Sequence, residues 1–261
     1  MSEIIAGVTA SSYLRGILAR EAVDIGMRSP FRLLEPEIEG VCRRWAGRTL
    51  LEVYPTGAFE KGFANRSGVV IDFLVSLAPD SHYVLADAYD GLCAALADEG
   101  LSPVRRSVSI AVTLRGWSVD IIPARRVGPN TDEHAVFLTR TGRLTVTNLT
   151  QHVLDGIACG RRDEIRLIKL WRDQRGLDFP SFYLELAVIA ALRRRAATAD
   201  LADNVWAVFG YLETLFAARS QLDPANANNI VSDQLTPAQK DAVRRAAQYA
   251  RAGRSWHDII R

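Results

Sequence analysis

The sequence predicts an α+β chain, with a front half that mixes strands and helices around a central sheet and a back half built of helices. Three observations carry this. The segment VVIDFLVSL (69–77) is rich in β-branched residues and apolar on both faces, as a strand covered on both sides must be. Two alternating runs, 104–114 and 117–123, flank Arg115-Gly116 and read as a hairpin. After about residue 145 the pattern changes to helical spacing at 147–159, 163–175, 181–195, 201–219 and 236–252. The expected division is therefore 1–145 and 146–261.

In chain order, the first 47 or so residues read as helical with a break at Arg28-Ser29-Pro30. Leu34, Ile38, Val41 and Trp45 share one helical face. TLLEVY (49–54) is a strand that Pro55-Thr56-Gly57 ends. Pro79-Asp80-Ser81 supplies a turn and an N-cap for a helix over 82–100, which stops at Gly100. The later helices are separated by Gly160, by 176–180 and by the polar stretch DPANANNIVSD (223–233).

A chain of 261 residues is long enough to bury a sizeable core, as one large domain or two packed lobes. Its net charge of +2 does not by itself indicate a nucleic-acid partner, and the arginine clusters are scattered and read as solvated faces. The N-terminus has no basic region followed by an apolar run, so no secretory signal is expected. The longest apolar run, around 184–192, is too short to span a bilayer. Cys42, Cys93 and Cys159 are too far apart for a disulfide framework or a zinc pattern, which makes a reducing cytoplasm the default. Of 32 basic residues only Lys61, Lys169 and Lys240 are lysines. Arginine-rich codon usage explains the bias; a site needing a compact point charge would explain the lysines that remain.

Asp72 and Asp120 each lie inside an apolar strand, where a carboxylate is costly unless it is paired, hydrogen-bonded or bound to a cation. A backbone cap or an arginine partner would account for either one alone. Alternate residues of a strand share a face, so residue 70 points the same way as Asp72.

The order of these features resembles the DNA polymerase β-like nucleotidyltransferases, and most closely the bacterial CD-NTase (cGAS-like) and oligoadenylate-synthase-like enzymes. GAFEKG followed by VIDFL is similar to their G-S-x-x-K-G…S-D-I-D-L signature. SVDIIPA (118–124) falls where the family has its third carboxylate. LIKLWRDQRGLDFPSFYLE is similar to the K-x-W…S-F-x-L-E segment, and DPANANN to a D-P-x-N-x-x-N element. Each match is weak alone; four in series are specific, and they cover most of the chain.

The resemblance implies a bilobal fold, with a polymerase β-like nucleotidyltransferase core and a C-terminal helical bundle. It implies an Mg²⁺-dependent enzyme that uses NTPs or dNTPs to make linear or cyclic oligonucleotide messengers, in bacterial antiphage defence, read by a downstream effector protein. Asp72 and Asp120 would hold metal: two Mg²⁺ about 3.5–4 Å apart, with Mn²⁺ as an alternative. Gly57, Ala58, Lys61, Lys169 and Ser181 would contact the triphosphate, and Tyr183 would stack on a base or belong to the core. Trp171, Phe182 and Leu184 are expected in the core.

Two departures bear on activity. Ala58 stands where many relatives have serine, and Val70 stands where the family has the aspartate that bridges both ions. The alternative functions are a nucleotide-binding pseudoenzyme and a toxin-type transferase that modifies tRNA or protein.

Overall fold

The computed structural model describes residues 9–261 apart from His82, Ala197 and Thr198. The first eight residues of the expected N-terminal helical stretch, and His82 at the head of the 82–100 helix, lie outside the described residues. The chain folds into two compact units, one formed by Asp24–Gly62 and Val69–Asp155, the other by residues up to Val23, Phe63–Gly68 and Gly156–Arg261.

The first unit is a mixed sheet with helices. Its strands are β1 (Leu50–Thr56), β2 (Val70–Leu77), β3 (Val104–Arg105), β4 (Ile110–Leu114), β5 (Trp117–Arg126), β6 (His134–Leu138) and β7 (Arg143–Thr147). They run in the order β1-β2-β5-β4-β3, with β6 also on β5 and β7 on β6. Strand β5 is long enough to take β4 along Trp117–Ile121 and β6 along Ala124–Arg126 on one edge, while β2 pairs with it in parallel on the other. Ile71, Phe73, Leu74, Val75 and Leu77 are fully buried, as the doubly apolar pattern of 69–77 requires.

Helix α2 (Glu35–Ala46) has Pro36 as its second residue, with Glu35 and Glu37 also in its first turn, and ends at Gly47, with φ of 55°. It packs on β1, while α4 (Leu85–Asp98) packs on β5 and β6. Between β1 and β2 lies a single turn, α3 (Gly57–Glu60).

Two local expectations need correction. Ser81 does not cap α4: the cap position is Val84, and the Ser81 hydroxyl accepts a long bond from the Tyr83 amide at 3.4 Å. The run 104–114 is not one strand, because a turn at 106–109 separates β3 from β4, closed by the Arg106 amide on Ser109 O at 2.9 Å. The hairpin β6–β7 turns at Thr141-Gly142, with Gly142 at φ 66°, a signal present in TRTGR but left unassigned.

His134 is fully buried in this unit. Its Nε2 lies 2.8 Å from Ser76 Oγ and its Nδ1 2.9 Å from the Asp132 carbonyl. That carbonyl can only accept, so Nδ1 carries the proton and Nε2 accepts from the serine. Burial holds the imidazole pKa below its ordinary 6.5. The neutral ring is the native form, so stability is present above the unfolded value and declines as pH falls below it. The melting temperature is expected to drop between pH 7.5 and 5.5 in the parent and to change less in His134→Gln. Equal slopes in the two proteins would remove His134 as the cause.

The second unit is helical: α1 (Ala10–Arg20), α6 (Arg162–Gln174), α7 (Ser181–Leu192), α8 (Leu201–Thr214), α9 (Pro237–Ala252) and α10 (Trp256–Ile259), with α5 (Leu149–Ala158) straddling the boundary between the units. Helix α9 opens on a capping box of Thr236 and Gln239. The stretch 223–233 is a short hairpin, β8 (Leu222–Asp223) with β9 (Asn226–Ile230), rather than an open loop. Buried Asp223 organises it by accepting from the Ala225 amide and the Asn229 side chain. Trp171 packs edge-on to Phe209 at 5.1 Å, and Leu184 is fully buried, as expected of core residues; Phe182 is half-buried.

Buried arginines tie the elements of this unit together. Arg166 donates to the carbonyls of Leu18 and Glu21 and to Asn65 Oδ1, so one guanidinium joins α1, the 63–68 segment and α6. Arg161 donates to Leu192 O and Ala196 O, satisfying carbonyls left open where α7 ends.

Candidate active site

The parallel pairing of β2 with β5 is in a register that sets Asp72 directly against Asp120, Val70 against Ser118 and Leu74 against Ile122. Residues 70 and 72 are half-buried while Ile71 and Phe73 are fully buried, so Val70 and Asp72 share the open face of β2. The backbone pairing of two adjacent central strands thereby sets the two carboxylates side by side.

Gly57 closes one side of Asp72. It adopts φ 67°, and a β-carbon there would stand 1.9 Å from Asp72 Oδ2 and 2.6 Å from Cγ. Only glycine permits both the dihedral and the approach. The turn that follows carries Ala58, Glu60 and Lys61, and the Lys61 amide returns to Gly57 O at 3.3 Å. Glu60 is held by Arg32 at 2.9 Å, and Phe59 is buried against Phe31 with ring centroids 5.5 Å apart. The glycine-lysine turn is thus anchored by an apolar and an ionic contact, with Lys61 itself buried at 8% exposure.

Both oxygens of Asp120 meet the 106–109 turn. Ser109 Oγ donates to Oδ2 at 3.1 Å, and the Arg106 guanidinium lies 3.3 Å from Oδ1. Neither residue stands out in the sequence, because VRRSVSI alternates well enough to pass for strand.

These donors fit one divalent ion better than two. Magnesium is commonly held by one or two carboxylates plus substrate phosphate oxygens, which Asp72 and Asp120 can satisfy. Among the described residues no group of three or more histidine, cysteine or carboxylate side chains is placed to hold a metal. Val70 supplies no ligand where a bridging carboxylate would be needed, so a two-ion centre does not fit.

The remaining expected residues lie in the helical unit. Buried Lys169 pairs with buried Glu185 at 4.0 Å, and Ser181 Oγ, at the start of α7, accepts from Arg172 at 2.9 Å. Tyr183 takes the second of its two expected places, the core. At 1% exposure it packs edge-on to Phe179 at 5.4 Å and against Phe216 at 4.9 Å, which leaves no face for a base to stack on. Burial pushes its phenol pKa up, and the hydroxyl has no hydrogen-bond partner.

No protein-family model matches the chain, and no curated protein matches it. Solved structures do. The E. coli MS115-1 CdnC solved with ATP aligns at a TM-score of 0.72 with 22% identity, over 92% of this chain and 90% of that one. The Bradyrhizobium diazoefficiens CD-NTase CdnG in complex with GTP aligns at 0.73 with 14% identity, over 93% and 91%. The Cid1 poly(U) polymerase aligns at 0.66 with 13% identity, over 94% and 95%. The chain therefore has the fold shared by these CD-NTases and the Cid1 poly(U) polymerase.

Proposed function

We propose that this protein is a nucleotidyltransferase of the kind that makes linear or cyclic oligonucleotide messengers from NTPs or dNTPs, with its catalytic rate cut by valine at position 70. The observation that carries this is the Asp72–Asp120 register beneath Gly57: two rigid carboxylates with a backbone turn at contact distance. Like charges directly opposite on neighbouring strands destabilise a sheet, which a bound cation would offset. The pair suits a cation brought in on a triphosphate. ATP and GTP in the CdnC and CdnG structures support nucleoside triphosphates as the substrate class.

In this reading Asp72 and Asp120 hold Mg²⁺, which when bound would neutralise charge on the phosphates undergoing transfer. Gly57 and Ala58 bring main-chain amides to the triphosphate, and Lys61 adds a point charge. Lys169 and Ser181 are proposed as further phosphate contacts. Lys169 pairs with Glu185, and the Ser181 hydroxyl can donate while its oxygen accepts from Arg172. An acceptor hydroxyl attacks the α-phosphorus, a new P–O bond forms in line with the bond that breaks, and pyrophosphate leaves.

Antiphage defence as the setting and a nucleotide-reading effector as the partner are proposed from the resemblance of the sequence motifs alone. Among the described residues no helix is long and apolar enough to cross a membrane. The test is a panel of labelled NTPs and dNTPs offered to the parent and to Val70→Asp, with and without total RNA. A small labelled product supports the reading. Label on RNA or protein would shift it to a toxin-type transferase, and binding without turnover in both proteins to a pseudoenzyme.

A further inference from the structure

We infer that Arg106 is a phosphate-contacting residue of this site, its guanidinium supplying at Asp120 the positive charge that a second metal ion cannot supply with valine at position 70. The inference rests on the nucleotide reading above and deepens it.

Four observations converge. First, Val70 leaves the carboxylate pair without a bridging ligand, and the described residues offer no third carboxylate. Second, a cation already stands where that ion's charge would act, because Arg106 Nε is 3.3 Å from Asp120 Oδ1. Third, the guanidinium is reachable: the Arg106 side chain is 58% exposed, against 16% for Asp120. Its remaining N–H donors can turn toward a ligand while Nε stays on the carboxylate.

Fourth, its backbone is pinned. The Arg106 amide donates to Ser109 O at 2.9 Å and also lies 3.1 Å from the Tyr89 hydroxyl oxygen, while its carbonyl accepts from Thr139 Oγ1 at 3.0 Å. Tyr89 is fully buried, and its hydroxyl donates to Ser109 O at 2.7 Å. Ser109 in turn donates to the other oxygen of Asp120. A solvated surface arginine needs none of this mounting, whereas a residue that must meet a phosphate gains from it, since less entropy is lost on binding. The planar fork of arginine also matches phosphate oxygens bidentately, which a lysine cannot do.

A double-mutant cycle between positions 106 and 70 tests the assignment, using binding of a fluorescent ATP or GTP analogue in Mg²⁺ and again in EDTA. Arg106→Ala in the Val70 chain is expected to weaken binding at least tenfold in both buffers, and Arg106→Lys to recover part of it. In the Val70→Asp background with Mg²⁺ the same alanine change is expected to cost less than threefold, because a carboxylate-bound ion then supplies the charge.

An equal cost in the two backgrounds, or no cost in the Val70 chain, overturns the inference while leaving the nucleotide reading intact. If neither the parent nor Val70→Asp binds any nucleotide in either buffer, the nucleotide reading falls and takes the inference with it. Because Arg106 projects from the surface, circular dichroism and melting temperature should match the parent, which separates lost binding from lost folding.

Discussion

Val70→Asp is expected to raise nucleotidyl transfer by about a hundred- to a thousandfold, the range typical of restoring one preorganised electrostatic group in an active site. Position 70 lies two residues from Asp72 on the same half-buried face of β2, opposite Ser118 on β5. An aspartate there adds a third carboxylate to a pair already in register, without displacing any fully buried side chain. The expected readout is Mg²⁺-dependent release of labelled pyrophosphate together with a small labelled product.

A second readout needs no turnover. Three carboxylates crowded on one face repel one another, so Val70→Asp alone should melt below the parent. Mg²⁺ with nucleotide should raise its melting temperature by mass action, and by more than it raises that of the parent. A variant that folds, shows no Mg²⁺-dependent stabilisation and turns over no nucleotide would exclude a catalytic origin for the Asp72–Asp120 pair.

How far the sequence reached is best seen at single residues. Asp72 was legible because a lone carboxylate inside VVIDFLVSL violates the strand pattern, and so was Asp120 inside SVDIIPA. Their mutual register was not legible: parallel neighbours are joined through a long crossover, and pairing is decided by packing rather than by local residues. Arg106 and Ser109 were hidden for a different reason. The 106–109 turn contains neither glycine nor proline, and its geometry is set by the hydroxyl of Tyr89, which is distant in sequence.

Tyr183 was left between two places by the sequence. An aromatic in a segment resembling a nucleotide-binding element invited a stacking role, yet Phe179 and Phe216 enclose it. Helix periodicity gives the face of a side chain; whether that face meets solvent depends on what the rest of the chain lays over it. The helical segments themselves were placed well, since α6, α7 and α9 start within a residue of the expected positions. Their starts follow from residues next to them, Pro180 before α7 and Thr236 with Pro237 at α9.

Gly57→Ala is expected to weaken nucleotide binding at least tenfold, and Gly100→Ala supplies the comparison that says why. Both glycines have positive φ, 67° and 79°, so alanine at either position carries a similar backbone penalty of about 1–2 kcal/mol. They differ in what a β-carbon would meet. At Gly100 nothing lies within 4 Å, whereas at Gly57 the new atom falls 1.9 Å from Asp72 Oδ2. Relief requires either that the Asp72 carboxylate rotate away from Asp120 or that the glycine-lysine turn retreat from it. The turn is held by Phe59 and by the Glu60–Arg32 pair, so the carboxylate is the part that yields. Displacement of about 1 Å at a reacting centre costs on the order of a hundredfold in rate. Gly57→Ala should therefore lose nucleotide affinity at least tenfold, and in the Val70→Asp background about a hundredfold in turnover. Gly100→Ala should melt lower by a similar amount yet bind and turn over as its parent does. Equal binding by the two alanine variants would mean that the close approach of Gly57 to Asp72 belongs to folding alone.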